Sequence, residues 1–552
     1  MKDNNKFQLD VWGWITLAIL ILYGIFLCYP LGRLLVQAFY SKADQTYTLQ
    51  NFVKFFSHKY YFSTLWNSFL VTFFVTILSL VIGTPLAYFF SLYKIKGKAF
   101  LQILIILASM SAPFIGAYSW ILLLGRSGII TKFLLNTFGV RIPSIYGFIG
   151  ILLVETLQLF PLVFLYIQGA LKNVDNSLIE ASENMGCTGA KRFFKVIIPL
   201  VMPTLLAGGL LVFMRALADF GTPMLIGEGF RTFPVLIYSE FISEVGGDDG
   251  FASAISIIAI LITAIVFLVQ RYLSQRTAFT MNALHPIEPK PMKKLQSLLV
   301  HGFAYLVIGV AIMPQVYVSY TSFLKTKGLM FVDGYSLDSY KTAFKKMSNS
   351  ITNTFLIPGI ALVIIVFLAV LIAYLVVRRR NMMTSIVDTT SMLPYIIPGS
   401  VVGIALLISF SKKPVILTGT MVIMVVALVI RRLPYTIRSS VAILQQIPIT
   451  IEEAAISLGA SKMKTFFKVT MPMMSAGIIS GAILSWVTMI TELATAIILY
   501  SNKTKTLTIA VYTEVIRGNY GIAAALSTIL TALTVISLLV FMRISKGKDI
   551  SI

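Results

Sequence analysis

Glu180-Ala181-Ser182, then Gly186, then Phe193-Phe194-Lys195-Val196, then Pro199, recur as Glu453-Ala454-Ala455, Gly459, Phe466-Phe467-Lys468-Val469 and Pro472. The offset is a constant 273 positions (453 − 180, 459 − 186, 472 − 199). It also pairs Leu171 with Leu444, Pro161 with Pro434, and Asp219 with Glu492. Upstream, Asn67, Ala87 and Tyr88 match Asn353, Ala373 and Tyr374 at an offset of 286 (353 − 67). A single loop insertion of about a dozen residues accounts for the change, which loops tolerate at small entropic cost.

Outward from the two loops, apolar runs long enough to cross a bilayer fill the chain. They fall near Trp12–Ala38, Thr64–Leu92, Ala99–Leu124, Tyr146–Ala170, Leu200–Ile226 and Phe251–Gln270 in the first half. In the second half they fall near Leu298–Ser322, Ile351–Val377, Ser385–Ser409, Ile416–Leu433, Ala476–Tyr500 and Ile522–Met542. The expectation is an all-α membrane protein of about twelve spans, built as two direct six-helix repeats in one orientation. Direct repeats differ from the inverted repeats of many secondary transporters. The expected division is a first domain at 1–274, a linker at 275–297 and a second domain at 298–552.

Composition agrees. Of 552 residues, 57% are hydrophobic and 12% charged, about half the charge share of a soluble domain. The net charge of +23 would suggest nucleic acid in a soluble protein. Here the bases cluster in short loops, where anionic lipid and the positive-inside rule explain them, and no nucleic-acid partner is expected. Lys94, Lys96 and Lys98, Arg378, Arg379 and Arg380, and Arg543, Lys546 and Lys548 mark cytoplasmic ends and put both termini there. The opposite loops also carry bases, such as Lys325, Lys327, Lys345 and Lys346, but mixed with Asp333, Asp338, Glu240, Glu244, Asp248 and Asp249. Lys2 and Lys6 precede an apolar stretch too long for a signal-peptide core, so Trp12–Ala38 reads as an uncleaved first helix. Cys28 and Cys187 fall in different compartments, which excludes a disulfide.

The linker contains His285-Pro286-Ile287-Glu288-Pro289-Lys290-Pro291. Alternating prolines favour an extended spacer, and a regulatory contact is the alternative.

The repeated loops, about 171–199 and 444–472, are the longest strongly polar, basic segments of their halves. Glu180 and Glu453 are expected to open a short helix, where the dipole favours an acid. Small residues Ala181, Ser182, Ala454 and Ala455 allow close approach. Gly186 and Gly459 permit a sharp turn. A basic second helix with exposed Phe193-Phe194 and Phe466-Phe467 pairs follows, and Pro199 and Pro472 restart the chain at the next span. Such an element suits a partner's cleft. An amphipathic helix lying on lipid would account for the bases and phenylalanines, but not for the spacing occurring twice.

This pattern resembles the "EAA" loop of the permeases of binding-protein-dependent (type I) ABC importers. The resemblance covers nearly the whole chain; Ser182 stands where the usual residue is Ala. It implies a coupling helix seated in a groove of a separate ATP-binding subunit, an ABC ATPase homodimer that binds ATP and Mg, and an extracytoplasmic substrate-binding protein. It implies a bacterial cytoplasmic membrane location. Ala218-Asp219-Phe220-Gly221-Thr222-Pro223, Glu492-Leu493-Ala494-Thr495, Tyr512-Thr513-Glu514 and Gly518-Asn519-Tyr520-Gly521 look like the fused permeases grouped with ferric-iron uptake, whose relatives carry thiamine, 2-aminoethylphosphonate or polyamines. Ferric iron is the first expectation for the cargo.

The chain has no Gly-x-x-x-x-Gly-Lys-Ser/Thr loop, Gly-x-Ser-x-Gly or His-Glu-x-x-His, so a transport subunit without an enzyme's constellation or its own cofactor is expected. An ATP-independent secondary transporter is the remote alternative. Charges inside spans are costly and face cavities or partners. Arg215 and Asp219, at i and i+4 of span five, would share a helix face and pair; Glu492 holds the matching place in span eleven, and Glu155 lies in span four. They either line a translocation path, where carboxylates suit a hard cation, or serve structure, as an ion pair and a helix cap. No metal site is assigned. Tyr118 and Tyr146 read as interface anchors, and Arg431 and Arg432 as the cytoplasmic border of span ten.

Overall fold

A computed structural model describes residues 11–41, 45–110, 112–242, 248–276, 285–328 and 330–544. Lys2, Lys6, Glu244, Lys546, Lys548 and linker positions 277–284 lie outside the described residues. Among those described, the chain is helical apart from two short antiparallel hairpins, Tyr40–Ser41 with Thr46–Tyr47 and Leu324–Lys327 with Met330–Tyr335. Each hairpin follows the first span of its half, so the halves are built alike.

Among the described residues, nine helices are long and apolar enough to cross a membrane, and eleven if two sharply bent pairs each count as one span. The expected span not among these is the tenth, the helix Met421–Gln446. It is long enough, but Arg431, Arg432 and Arg438 lie inside it. Arg431 and Arg432 therefore do not mark a border: the helix continues for fourteen residues beyond Arg432, to Gln446 (446 − 432).

Proline sets the breaks. The third expected span is two helices, Lys98–Met110 and Pro113–Leu124. Its counterpart is Met382–Ile396 and Gly399–Phe410, bent by 110°. Ala112 and Ile397 precede Pro113 and Pro398, and both adopt extended ψ near 130° and 127°, since a residue before proline is pushed out of the helical region. The fifth span ends early, at Leu217, and a short helix Gly221–Ile226 follows. Its counterpart ends at Ile490, followed by Ala496–Leu499.

The first spans are exchanged between the halves. Trp12, at the start of Val11–Ala38, is buried against Tyr374 and Phe466 of the second half, with ring centroids 4.6 and 5.2 Å away. Further along that span, Phe26 and Tyr29 meet Phe410. Reciprocally, Lys294–Thr321 packs on Lys98–Met110 and Pro113–Leu124, and Phe303 meets Phe89 at 6.1 Å. Tyr118 is buried rather than at a lipid interface, and donates a 2.7 Å hydrogen bond to the Tyr520 carbonyl across the seam.

Matching pins lock each half. Asn67 donates to the Arg231 carbonyl, and Asn353 to the carbonyls of Lys503 and Lys505. Ser68 accepts from the Phe233 amide and Thr354 from the Leu507 amide, both at 2.7 Å.

Candidate functional site

Both repeated loops project from the end of the bundle that also holds Trp12. The first begins with the helix Asn176–Asn184, capped by Asp175, which accepts from the Ser177 amide at 2.9 Å. Glu180 is therefore not in the opening turn, and its carboxylate accepts from the Asn176 side chain. The second helix, Thr450–Ser457, does carry Glu453 in its first turn. Gly186 and Gly459 follow with φ of +71° and +87°, left-handed values that cost a side-chain-bearing residue about 1–2 kcal/mol. Nothing lies within 4 Å of a Cβ built at either glycine, so the requirement is backbone conformation and not space.

After each turn a short helix passes through a π-helical segment, Phe193–Ile197 or Phe466–Thr470; the first runs on unbroken into Ile198–Leu217, while the second ends at Met473 and is bent by 67° before Ser475–Ile490. Pro199 and Pro472 fall just beyond it but do not restart the chain: the helix runs on through Pro199, and in the second half it breaks only at Met474. The phenylalanine pairs are not exposed as pairs. Successive residues on a helix point about 100° apart, so one ring of each pair faces in and one out. Phe194 and Phe467 are 65% and 50% exposed, while Phe466 is 1% exposed and Phe193 half-buried. The inward rings meet tyrosines at matching places, Phe193 on Tyr88 at 5.0 Å and Phe466 on Tyr374 at 4.9 Å, both edge-on.

The outward face combines Glu180, Ala181, Gly186 and Phe194 in one loop with Glu453, Ala454, Gly459 and Phe467 in the other. Ser182 is buried, donating to the Ile179 carbonyl, and Ala455 is half-buried. Sequence reasoning missed Met185 and Leu458, 78% and 89% exposed at the tips. The signal was present: each is an apolar residue directly before the turn glycine, 273 positions apart (458 − 185).

The anchors beneath differ between the halves. In the first, buried Arg192 donates to Glu183, Tyr88 and Tyr93. The linker straps onto the same loop: Lys290 reaches Glu183 at 2.9 Å and exchanges main-chain bonds with Leu92 and Lys94, and His285 pairs with Asp175 and Asn176. The linker is thus bound along the loop rather than a free spacer. The Lys290 ammonium foremost, then the Arg192 guanidinium, hold the Glu183 carboxyl below its usual value. In the second half, Arg378 donates to Glu452 at 2.8 Å and to the Ile447 carbonyl at 2.7 Å.

The charged residues inside the bundle fall into two groups. Asp219 does not pair with Arg215. The helix ends at Leu217, so Asp219 lies in the break and accepts from the amides of Gly221 and Thr222. Glu492 caps the equivalent break, accepting from the Thr495 amide at 3.1 Å. It also binds Arg431 and Arg432, which have Gln158 and Leu159 at the matching places of the first repeat (431 − 273, 432 − 273). Glu155 is buried, and neither carboxylate oxygen has a hydrogen-bond partner within bonding geometry among the described residues. No cluster of three or more His, Cys, Asp or Glu suited to a metal occurs among the described residues, and Cys28 and Cys187 are free.

Two matched loops at one end, spans exchanged between two direct repeats and charges held at the seam define the membrane component of a transporter. The chain belongs to the family described as binding-protein-dependent transport system inner membrane component, whose sequence model matches residues 61–279 and 361–548. It is therefore a multi-pass membrane transport component of the type I ABC importer permease fold, with two such units fused in one chain. It is 28% identical to the ferric transport system permease protein FbpB of Actinobacillus pleuropneumoniae, over 98% of this chain and 79% of that one. The Fe(3+)-transport system permease protein FbpB 2 of Haemophilus influenzae is 26% identical, over 92% and 94%. The spermidine/putrescine permease PotB of the same species is 30% identical, over 49% of this chain and 94% of its own.

Proposed function

We propose that this chain carries ferric iron, delivered by an extracytoplasmic binding protein, across the bacterial cytoplasmic membrane. The loops at about 171–199 and 444–472 seat on the two subunits of an ABC ATPase homodimer, and both termini are cytoplasmic. The two permease domains span 1–274 and 298–552. The observation that carries the reading is the paired outward face: matched acids, small residues, left-handed glycines and exposed apolar tips, each set braced by a tyrosine–phenylalanine contact. Closure of the ATPase dimer draws the loops together. The first loop continues as one helix into its next span and the second joins its span through a bend, so that movement rocks the halves and switches access. Ferric iron is favoured by relatives named for ferric transport that match nearly the full chain; polyamine or 2-aminoethylphosphonate import by the same mechanism draws on relatives matching about half.

Gly186→Val and Gly459→Val test the coupling. In each, the membrane fold is retained, while ATP-driven uptake of radiolabelled iron is lost or the ATPase no longer copurifies. Normal uptake by both variants, or ion-gradient-driven uptake in proteoliposomes lacking any ATPase, overturns the reading.

A further inference from the structure

Arg215 sits two residues before the end of the helix Ile198–Leu217, half-buried inside the bundle. No carboxylate lies within ion-pair distance of it among the described residues. An intramembrane guanidinium without a counter-ion is costly unless it faces a water-filled cavity or an anion. Its surroundings are phenolic. Tyr166 of the same half and Tyr395 and Tyr435 of the other all lie within its electrostatic reach. The rings of Tyr395 and Tyr435 are 5.4 Å apart, and the Arg432 guanidinium is 5.8 Å from the Tyr435 ring.

Tyr166 is 36% exposed, and Arg215, Tyr395 and Tyr435 are half-buried. The charge of the cluster is one-sided. The charged groups acting most strongly on the three phenols are Arg215, Arg431 and Arg432, with no carboxylate among them. Glu492 alone serves both Arg431 and Arg432, and the Nε atoms of both are buried without a partner. Asp219, the nearest carboxylate along the chain from Arg215, is engaged by backbone amides.

Planar guanidinium donors and phenol hydroxyls grouped together suit the oxygens of a carboxylate, phosphate or phosphonate. A bare trivalent cation would be repelled there. We propose that Arg215, Tyr166, Tyr395, Tyr435 and Arg432 form a transit site for an oxyanion, so that a metal cargo crosses with oxyanion ligands still attached. This rests on the importer reading given above and specifies the chemical class of what passes the seam.

The full chain in lipid nanodiscs is titrated calorimetrically with inorganic phosphate, citrate and ferric citrate. At least one of these probes binds, free and metal-borne oxyanions being separated by which does. Arg215→Gln and Tyr435→Phe each weaken binding about tenfold or more, the loss of one charge-assisted hydrogen bond, while Arg215→Lys retains most of it. Binding of none of the three probes, or equal binding by Arg215→Gln, overturns the site. The complex reconstituted with its ATPase and binding protein separates the two claims. Oxyanion binding that depends on Arg215, in a complex showing no ATP-driven uptake, sinks the importer reading alone. ATP-driven iron uptake unchanged by Arg215→Gln and Tyr435→Phe sinks the transit site alone.

Discussion

The ring of Phe466 stands edge-on to that of Tyr374, 4.9 Å between centroids, and Trp12 from the other end of the chain closes the cluster at 5.2 Å from Phe466. One contact thereby joins the loop Thr450–Thr470, the second span of its own half and the exchanged first span. Force on the loop reaches the spans through packed aromatic rings rather than a flexible connection.

Phe466→Ala removes a ring that is 1% exposed and costs about 3–5 kcal/mol, the usual range for emptying such a site. Phe467→Ala, at 50% exposure, leaves stability within about 0.5 kcal/mol. Thermal unfolding of purified protein reads the first effect, and retention of the ATPase during purification reads the second. The expected pattern is a low melting temperature with Phe466→Ala and a lost partner with Phe467→Ala.

Glu492→Gln leaves Arg431 and Arg432 buried without their shared counter-charge. Breaking a buried ion pair from one side costs about 3–5 kcal/mol, so the variant unfolds at a much lower temperature. Removing both arginines as well recovers part of that loss. Additive losses in the triple variant would show that the three residues do not act as a unit.

Acid releases the linker strap. The Glu183 carboxyl is held below its usual value by Lys290 and then Arg192, so the folded state binds its proton less readily than the unfolded one. The stabilisation is fully present above the ordinary carboxylate range, about pH 4.3, and is lost as pH falls through the lowered value. Hydrogen exchange at the Lys290 amide, which donates to the Leu92 carbonyl, is expected to accelerate in that window beyond its intrinsic change. In Lys290→Ala, the 285–292 segment loses protection already at neutral pH. Unchanged protection in that variant would place the strap's stability elsewhere.

The sequence by itself determined the repeat, the apolar runs, the glycine turns and the prolines at the entry to the next spans. Each is a local requirement: a helix needs a certain apolar length, a left-handed turn needs glycine, and proline suits a first helical turn. The twin loops were legible because both copies meet the same requirements at a fixed spacing. The tertiary structure decided what faces what. It exchanged the first spans, turned one phenylalanine of each pair inward, and drew Glu492 onto Arg431 and Arg432 from sixty positions away (492 − 432). It also ended the fifth span at Leu217, which separated Asp219 from Arg215. Helical periodicity states that a residue has a facing partner, but it carries no information on which distant helix supplies it. That choice belongs to the packing of the whole bundle, where a charge must find a counter-charge and a ring must fill a gap.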